Sequence, residues 1–191
     1  MIQDEREVKI RLPDADACAA ALEAAGARPL EPRRLEDDRL FDDGQGALAR
    51  SDRVIRLRRK VPLAGGEAGA GCVLTYKGPA RVEDGHRIRE EVETAVADAE
   101  ALVLVLERLG YRSSFRYQKM RRLYDWEGAL IAVDQTPLGD FLEIEGSAAA
   151  IEDLAARLGH EPSEFLTASY PALWREARGA DGGDMLIEAP E

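Results

Sequence analysis

The chain has 191 residues, 45% hydrophobic and 33% charged, with a formal net charge of −11. This length and composition suit one globular, soluble domain with a real core and exclude a disordered chain. The acidic balance argues against a general nucleic-acid binder, and no apolar run is long enough for a membrane-spanning helix.

The polar, acidic start Met1-Ile2-Gln3-Asp4-Glu5 does not read as a signal peptide. The first predicted strand covers residues 5–12. Glu5, Glu7, Lys9 and Arg11 share one face, and Val8, Ile10 and Leu12 share the other. The polar face sets two carboxylates and two cations at steps of roughly 6.5 Å. Two readings fit: a solvated face of alternating charge, or carboxylates that share hard metal ions beside cations that hold phosphate oxygens. Asp14 can cap a helix to about Ala25, stopped by Gly26. A strand near 39–41 follows, then the turn Asp42-Asp43-Gly44. A strand over 53–60 comes next, with Arg56 and Arg58 on one face and Ile55 and Leu57 on the other. The Gly-rich stretch 62–71 has no Gly-Lys-Ser/Thr and no helix after it, so it reads as a hairpin loop and not a phosphate loop. A strand over 72–77 returns, ended by Gly78-Pro79.

In residues 88–93, Arg89, Glu91 and Glu93 share a face. Asp98 caps an apolar helix over 99–109, closed by Gly110. A long strand over 112–126 turns at Glu127-Gly128 into a strand over 129–134. A last strand, 140–145, sets Glu143 and Glu145 two apart, as Glu5 and Glu7 are. Ser147 caps a helix to Leu158, and Ser163 is expected to cap another to about Arg178. The Gly- and Asp-rich tail, 179–191, is expected to fray. This makes about eight strands and four helices in a single domain, 1–178.

Cys18 and Cys72 have neither metal-ligand nor CxxC spacing and read as reduced packing residues of a cytoplasmic protein. His86 lies in a turn-like stretch and His160 just after a helix end, so neither a His metal site nor a Ser-His-Asp triad is expected. The informative feature is collective. Strand after strand pairs an apolar parity with one made almost wholly of Arg, Lys and Glu. A wet sheet face also alternates, but it ordinarily carries Thr, Ser and Gln. The economical arrangement is an α+β fold: a sheet curled so that its charged face points inward, with helices over its apolar face. Such an interior must hold water, metal ions and a highly charged ligand, because unpaired charges there cost several kcal/mol each. A polyphosphate with divalent cations suits both charge types.

Glu5-x-Glu7-x-Lys9 resembles the ExExK signature of the CYTH domain, the triphosphate tunnel metalloenzymes. The likeness continues through Leu57-Arg58, Thr75-Tyr76-Lys77-Gly78-Pro79, Arg89-x-Glu91-x-Glu93 and Lys119-x-Arg121-x-x-Tyr124. It ends with the run 138–145 and Ser169-Tyr170. The resemblance implies a closed antiparallel β-barrel, a tunnel of about eight strands with helices packed outside. It implies two Mg²⁺ or Mn²⁺ ions held by Glu5, Glu7, Glu143 and Glu145, with Asp134, Glu91 and Glu93 helping. It implies phosphates gripped by Lys9, Arg56, Arg58, Lys77, Arg89, Lys119 and Arg121, with Glu5, Glu7 and Lys9 at the catalytic centre. Arg11 shares their parity but sits further along its strand; Arg116 and Arg122 have the opposite parity and read as surface charges, and Tyr124 as packed under a helix. The partner implied is a small molecule bearing a triphosphate, with no nucleic acid and no membrane. A homodimer is common among such proteins, though no stretch here demands one. The activity expected is a triphosphatase acting on tripolyphosphate or thiamine triphosphate. The alternatives are a class IV adenylate cyclase, which makes cyclic AMP and pyrophosphate from ATP, and a non-catalytic polyphosphate or nucleotide binder.

Overall fold

The computed structural model describes residues 3–63, 70–179 and 181–187. Period-two alternation dictates its architecture. In β1 (Gln3–Leu12), Val8 and Ile10 are fully buried on one side while Glu5, Glu7 and Lys9 line a cavity on the other. The other strands are β2 (Arg28–Asp43), β3 (Val54–Pro62), β4 (Gly71–Lys77), β5 (Arg81–Glu83), β6 (His86–Ala95), β7 (Tyr111–Trp126), β8 (Ala129–Thr136) and β9 (Gly139–Glu145). Eight of them pair antiparallel in the order β1-β9-β8-β7-β2-β3-β4-β6, and β6 returns to β1 through Glu5↔Arg89 and its neighbours, so the sheet closes into a barrel. The short β5 folds back onto the start of β6 as an extra strand.

The apolar parity faces outward and is covered by helices. α1 (Ala15–Ala24) and α4 (Ala148–Arg157) lie over the largest core, which holds Ile131, Leu142 and Ile144 from β8 and β9. α3 (Ala99–Arg108) covers Phe41 and Leu57, whereas α5 (Tyr170–Arg178) packs against Tyr117 and Phe141, which have the inward parity of Lys119 and Glu143. A fully buried aliphatic side chain is worth about 1.5–3 kcal/mol relative to exposure. This outer core therefore holds the barrel shut around a lumen whose charged lining supplies no hydrophobic stabilisation. Caps fall where their chemistry puts them: Asp14, Asp98, Ser147 and Ser169 each accept from a backbone N–H of the helix that follows.

Several boundaries differ from expectation. β2 spans 16 residues, not a short stretch near 39–41. A short helix, α2 (Ala47–Arg50), follows the 42–44 turn. The single helix expected from Ser163 is instead a 3₁₀ turn at Pro162–Glu164, an extended segment, and α5 capped by Ser169 with Pro171 in its first turn. In that segment Leu166 pairs with Lys9 of β1 through two backbone hydrogen bonds. The tail is attached where it is described, since Met185 is fully buried and pairs with Tyr117 of β7. The loop 62–71 runs between Pro62 of β3 and Gly71 of β4, and its residues 64–69 lie outside the described residues, as do 188–191 of the tail.

Candidate active site

The barrel encloses a cavity of about 590 Å³ with two unlike walls. One is basic and comes from β2, β3, β7 and β8. Its cations are held from behind by carboxylates that do not reach the lumen. Asp38, fully buried, accepts from Arg58 at both oxygens, at 2.7 and 3.0 Å. Glu36, also fully buried, takes Arg34 Nη2 at 2.7 Å and pairs with Arg58 Nη1 at 2.9 Å. Asp134 accepts from Lys119 at 3.0 Å, from Arg121 at 2.6 and 2.5 Å, and from the Tyr170 hydroxyl at 2.8 Å. Burial by itself would raise Glu36 and Asp38, yet Arg58, with Arg121 beside Glu36 and Arg56 beside Asp38, brings both below the usual carboxylate range. Removing a carboxylate from such a buried ion pair costs about 3–5 kcal/mol, because it strands the cation. Arg58 and Arg121 are thus held in fixed directions before any ligand arrives.

The other wall is acidic and comes from β1, β6 and the end of β9. The register sets Glu5 opposite Arg89 and Glu7 opposite Glu145, so carboxylates from three strands crowd together. Lys77 donates to Glu5 and Glu91, both at 2.8 Å, and Arg87 meets Glu7 at 3.4 Å. These cations do not balance the cluster. Burial, the hydrogen bond to Glu5 and the Glu5 charge push Glu91 up to about 8. Burial and the charges of Glu5 and Glu7 push Glu145 up to about 8. Burial would raise Glu5 as well, but the Glu91 hydrogen bond and the Lys77 ammonium bring it down to about 2. Near neutral pH, Glu5 carries charge while Glu91 and Glu145 hold protons.

Glu143 stands between the walls. Lys9 pairs with it at 2.6 Å and Arg121 also donates to it, and it lies well below the usual carboxylate range: against burial, the charges of Lys119, Lys9 and Arg121 favour its anion. Two of the expected metal ligands have cations as their partners in this structure. Asp134 is fully buried behind the wall with both oxygens taken, and Glu143 sits inside a net of cations. Among the expected phosphate ligands, Lys9, Arg56, Arg58, Lys77, Lys119 and Arg121 line the lumen. Arg89 lines it too, but its guanidinium donates to the carbonyls of Gly78 and Asp52 and so ties the 78–80 turn to the barrel. Arg11 lies at the strand end over the Phe141 ring. Arg116 and Arg122 pair with Asp37 and Asp16 outside the barrel, and Tyr124 packs in the core beneath α1.

Sequence reasoning missed Arg34, Glu36 and Asp38 of β2, Lys60 of β3 and Arg87 of β6. Lys60 and Arg87 have the inward parity of strands that the sequence does show, which is the signal that would have found them, whereas Arg34, Glu36 and Asp38 lie where β2 gives no clean alternation. It also gave Tyr170 no role beyond the resemblance. The Tyr170 ring lies 4.7 Å from Lys9 Nζ and 5.0 Å from Lys119 Nζ.

The acidic wall fits hard divalent cations in charge and donor type. Its carboxylates repel one another, and a bound cation relieves that repulsion. Among the described residues, no three acidic, His or Cys side chains converge on one point, so Glu5, Glu7 and Glu145 must rotate to share an ion.

Comparison with known proteins places this fold among solved and curated relatives. A curated Methanocaldococcus jannaschii protein named "Putative adenylate cyclase" is 25% identical over 150 residues, which cover 78% of this chain and 80% of the relative. The solved structure of the Pyrococcus horikoshii protein PH1819 is 26% identical with a TM-score of 0.74, covering 91% of this chain and 99% of that one. A Hippeastrum protein described as a "Putative adenylyl cyclase" that "reveals a dominant" triphosphatase activity is 22% identical with a TM-score of 0.65, covering 91% and 96%. The CYTH domain profile matches residues 3–161, and the chain belongs to that family.

Proposed function

We propose that this protein is a divalent-metal-dependent triphosphatase that cleaves inorganic or small organic triphosphates inside the barrel. The observation that carries the reading is the division of the lumen into a pre-paired basic wall and an under-neutralised acidic wall. A triphosphate with its metal ions has the complementary division of charge. Arg58, Arg121 and Lys119 bind phosphate oxygens from directions already fixed by Asp38, Glu36 and Asp134. Lys9 and Lys77 reach the chain from the seam between the walls. Glu5, Glu7 and Glu145 hold the ions. Bound there, Mg²⁺ or Mn²⁺ would supply charge neutralisation of the phosphate chain and activation of water. The closed barrel limits competing solvent, so each ion pair with phosphate is stronger than on a surface.

Hydrolysis needs only the phosphate chain, the ions and a placed water. Cyclisation of ATP also needs adenine and ribose fixed with the 3′-oxygen at about 3–3.5 Å from the α-phosphorus. The name of the M. jannaschii relative favours that second reading, while the Hippeastrum protein is an example of this fold in which triphosphatase activity dominates. The test is a substrate screen of tripolyphosphate, thiamine triphosphate and ATP with Mg²⁺ and with Mn²⁺, reading phosphate, pyrophosphate and cyclic AMP. Phosphate released from tripolyphosphate or thiamine triphosphate should outpace cyclic AMP from ATP. The reverse ranking makes the protein a cyclase, and binding of tripolyphosphate without turnover of any substrate makes it a polyphosphate binder.

A further inference from the structure

The family match stops at residue 161, yet the lumen does not. Ser169, Tyr170 and Pro171, at the start of α5, line the cavity. Tyr170 is buried and touches three functional groups at once: its hydroxyl donates to Asp134 at 2.8 Å, and its ring faces the ammonium groups of Lys9 and Lys119 at 4.7 and 5.0 Å. The negative face of an aromatic ring attracts a cation most when water is excluded. Phe141 meets the ring edge-on at 5.3 Å and fixes its plane.

The position of α5 is set in turn by the segment after it. β8 pairs with β7 only from Met120 onward, so the first half of β7 has a bare edge on that side. Residues 184 and 185 pair with it at 116–118. Met185 N donates to Arg116 O at 3.0 Å and Gln118 N donates to Met185 O at 2.8 Å. Asp184 accepts from Arg116 N at 2.8 Å, and the Trp174 indole of α5 donates to Gly183 O at 2.9 Å. Met185 is fully buried and packs in the same cluster as Tyr170. A chain of contacts thus runs from β7 through the tail and α5 to two lysines of the lumen.

We infer that Tyr170 is a positioning residue for Lys9 and Lys119, and that residues 181–187 act through it as the strap that holds it in the barrel. This rests on the proposed phosphate-binding role of the two lysines. Without the ring and hydroxyl, the two ammonium groups lose the surface that aims them, while Asp134 loses one of its donors. None of residues 181–187 lines the cavity.

The test compares the full-length wild type with Tyr170→Phe, Tyr170→Leu, Met185→Glu and the Leu–Glu double variant. Steady-state turnover of tripolyphosphate with Mg²⁺ is measured alongside calorimetric binding of tripolyphosphate. Tyr170→Leu should raise KM and Kd about tenfold, the scale of one desolvated cation–π contact, with kcat changed much less. Tyr170→Phe, which keeps the ring, should recover most of that loss. Met185→Glu should reproduce the KM of Tyr170→Leu, and the double variant should be no worse than either single one. The inference is overturned if KM and Kd stay at the wild-type value in folded Tyr170→Leu, or if the losses of the two single variants multiply in the double one. The mild Tyr170→Phe keeps the test open should the others not fold: affinity as low as that of Lys9→Met would also overturn it. Wild-type binding without turnover would sink the triphosphatase reading and leave this one standing, because Kd alone reports the lysines.

Discussion

The two walls of one barrel treat buried carboxylates in opposite ways. On the basic wall, Glu36 and Asp38 are ionised and spent on arginines. On the acidic wall, Glu91 and Glu145 are pushed up to about 8 because their neighbours are carboxylates. Burial is severe on both sides, so it does not separate them. What separates them is the balance of charge packed on each carboxylate: Asp38 meets Arg58 and Arg56, Glu145 meets Glu5 and Glu7, and Glu91 faces Lys77 across the sheet but shares that one lysine with Glu5. The first wall is balanced when the chain folds, and the second keeps acids that its own cations do not neutralise.

The largest test of this contrast is Glu145→Gln. If the acidic wall holds the ions, turnover at fixed Mg²⁺ should fall roughly a hundredfold, since a catalytic cation is worth several kcal/mol. The fold should be unharmed in metal-free buffer near neutral pH, because Glu145 already holds a proton there and Gln mimics that neutral form. Loss of activity that excess Mg²⁺ fully restores places the defect in metal affinity. Unchanged activity at limiting Mg²⁺ removes Glu145 from the site. Asp38→Asn probes the opposite wall and should act through stability and KM together. Arg58 loses its bidentate partner inside the barrel, at a cost of about 3–5 kcal/mol of unfolding free energy. Thermal unfolding and tripolyphosphate KM measured on one preparation check it; a native midpoint would mean that Glu36 alone holds Arg58.

The walls should also part company with pH. Glu91 and Glu145 have folded-state values of about 8, above the 4.5 of the unfolded chain. Between those values the folded state keeps protons that the unfolded state has released, so metal-free stability should fall as pH climbs from about 5 to 8. Glu5, down at about 2, gives the reverse: its contribution is present above 4.5 and is lost as pH falls toward 2. Mg²⁺ should flatten the alkaline fall, because a bound cation replaces the protons. Each kcal/mol recovered should move the unfolding midpoint by about 2–4 °C in a chain of this size. A metal-free midpoint that rises between pH 5 and 8 would contradict the assignment.

The acidic wall was the more legible in sequence. Glu5/Glu7 and Glu143/Glu145 announce themselves as i, i+2 pairs inside apolar alternation, and a strand turns that spacing directly into a shared face. The backing carboxylates of the basic wall were hidden. The segment bearing Glu36 and Asp38 contains Pro29 and Pro32 and pairs with β7 through register shifts at 29–34, so local alternation gives no clean strand before Arg39. Asp134 kept its predicted parity, but parity cannot say whether an inward carboxylate faces the lumen or lies behind two cations. The same limit applies at the C-terminus. Ser163 and Ser169 both look like caps, and only the pairing of Leu166 with Lys9 decides that the chain runs extended between them. Met185 lies in a Gly- and Asp-rich tail whose composition carries no trace of the bare β7 edge that it covers.

The smallest expected effect separates two cations that look alike in sequence. Lys77 and Arg89 both point inward and both stand near Glu5. Lys77 spends its ammonium on Glu5 and Glu91, carboxylates that a metal ion would draw away, so its charge becomes available to phosphate as the ion binds. Arg89 spends its guanidinium on the carbonyls of Gly78 and Asp52, which no ligand withdraws. Lys77→Ala should therefore weaken triphosphate binding by about 1.5–3 kcal/mol, the value of a hydrogen bond to a charged group. Arg89→Gln should change that affinity less than about threefold, a few tenths of a kcal/mol. Its cost should appear in unfolding, by about 1–3 kcal/mol, as the buried Gly78 carbonyl loses its donor. Calorimetric titration of tripolyphosphate with Mg²⁺, paired with denaturant unfolding of both variants, reads the two effects apart. If Arg89→Gln weakens binding as much as Lys77→Ala does, its guanidinium leaves those carbonyls when phosphate enters, and the acidic wall holds one more phosphate ligand than its geometry shows.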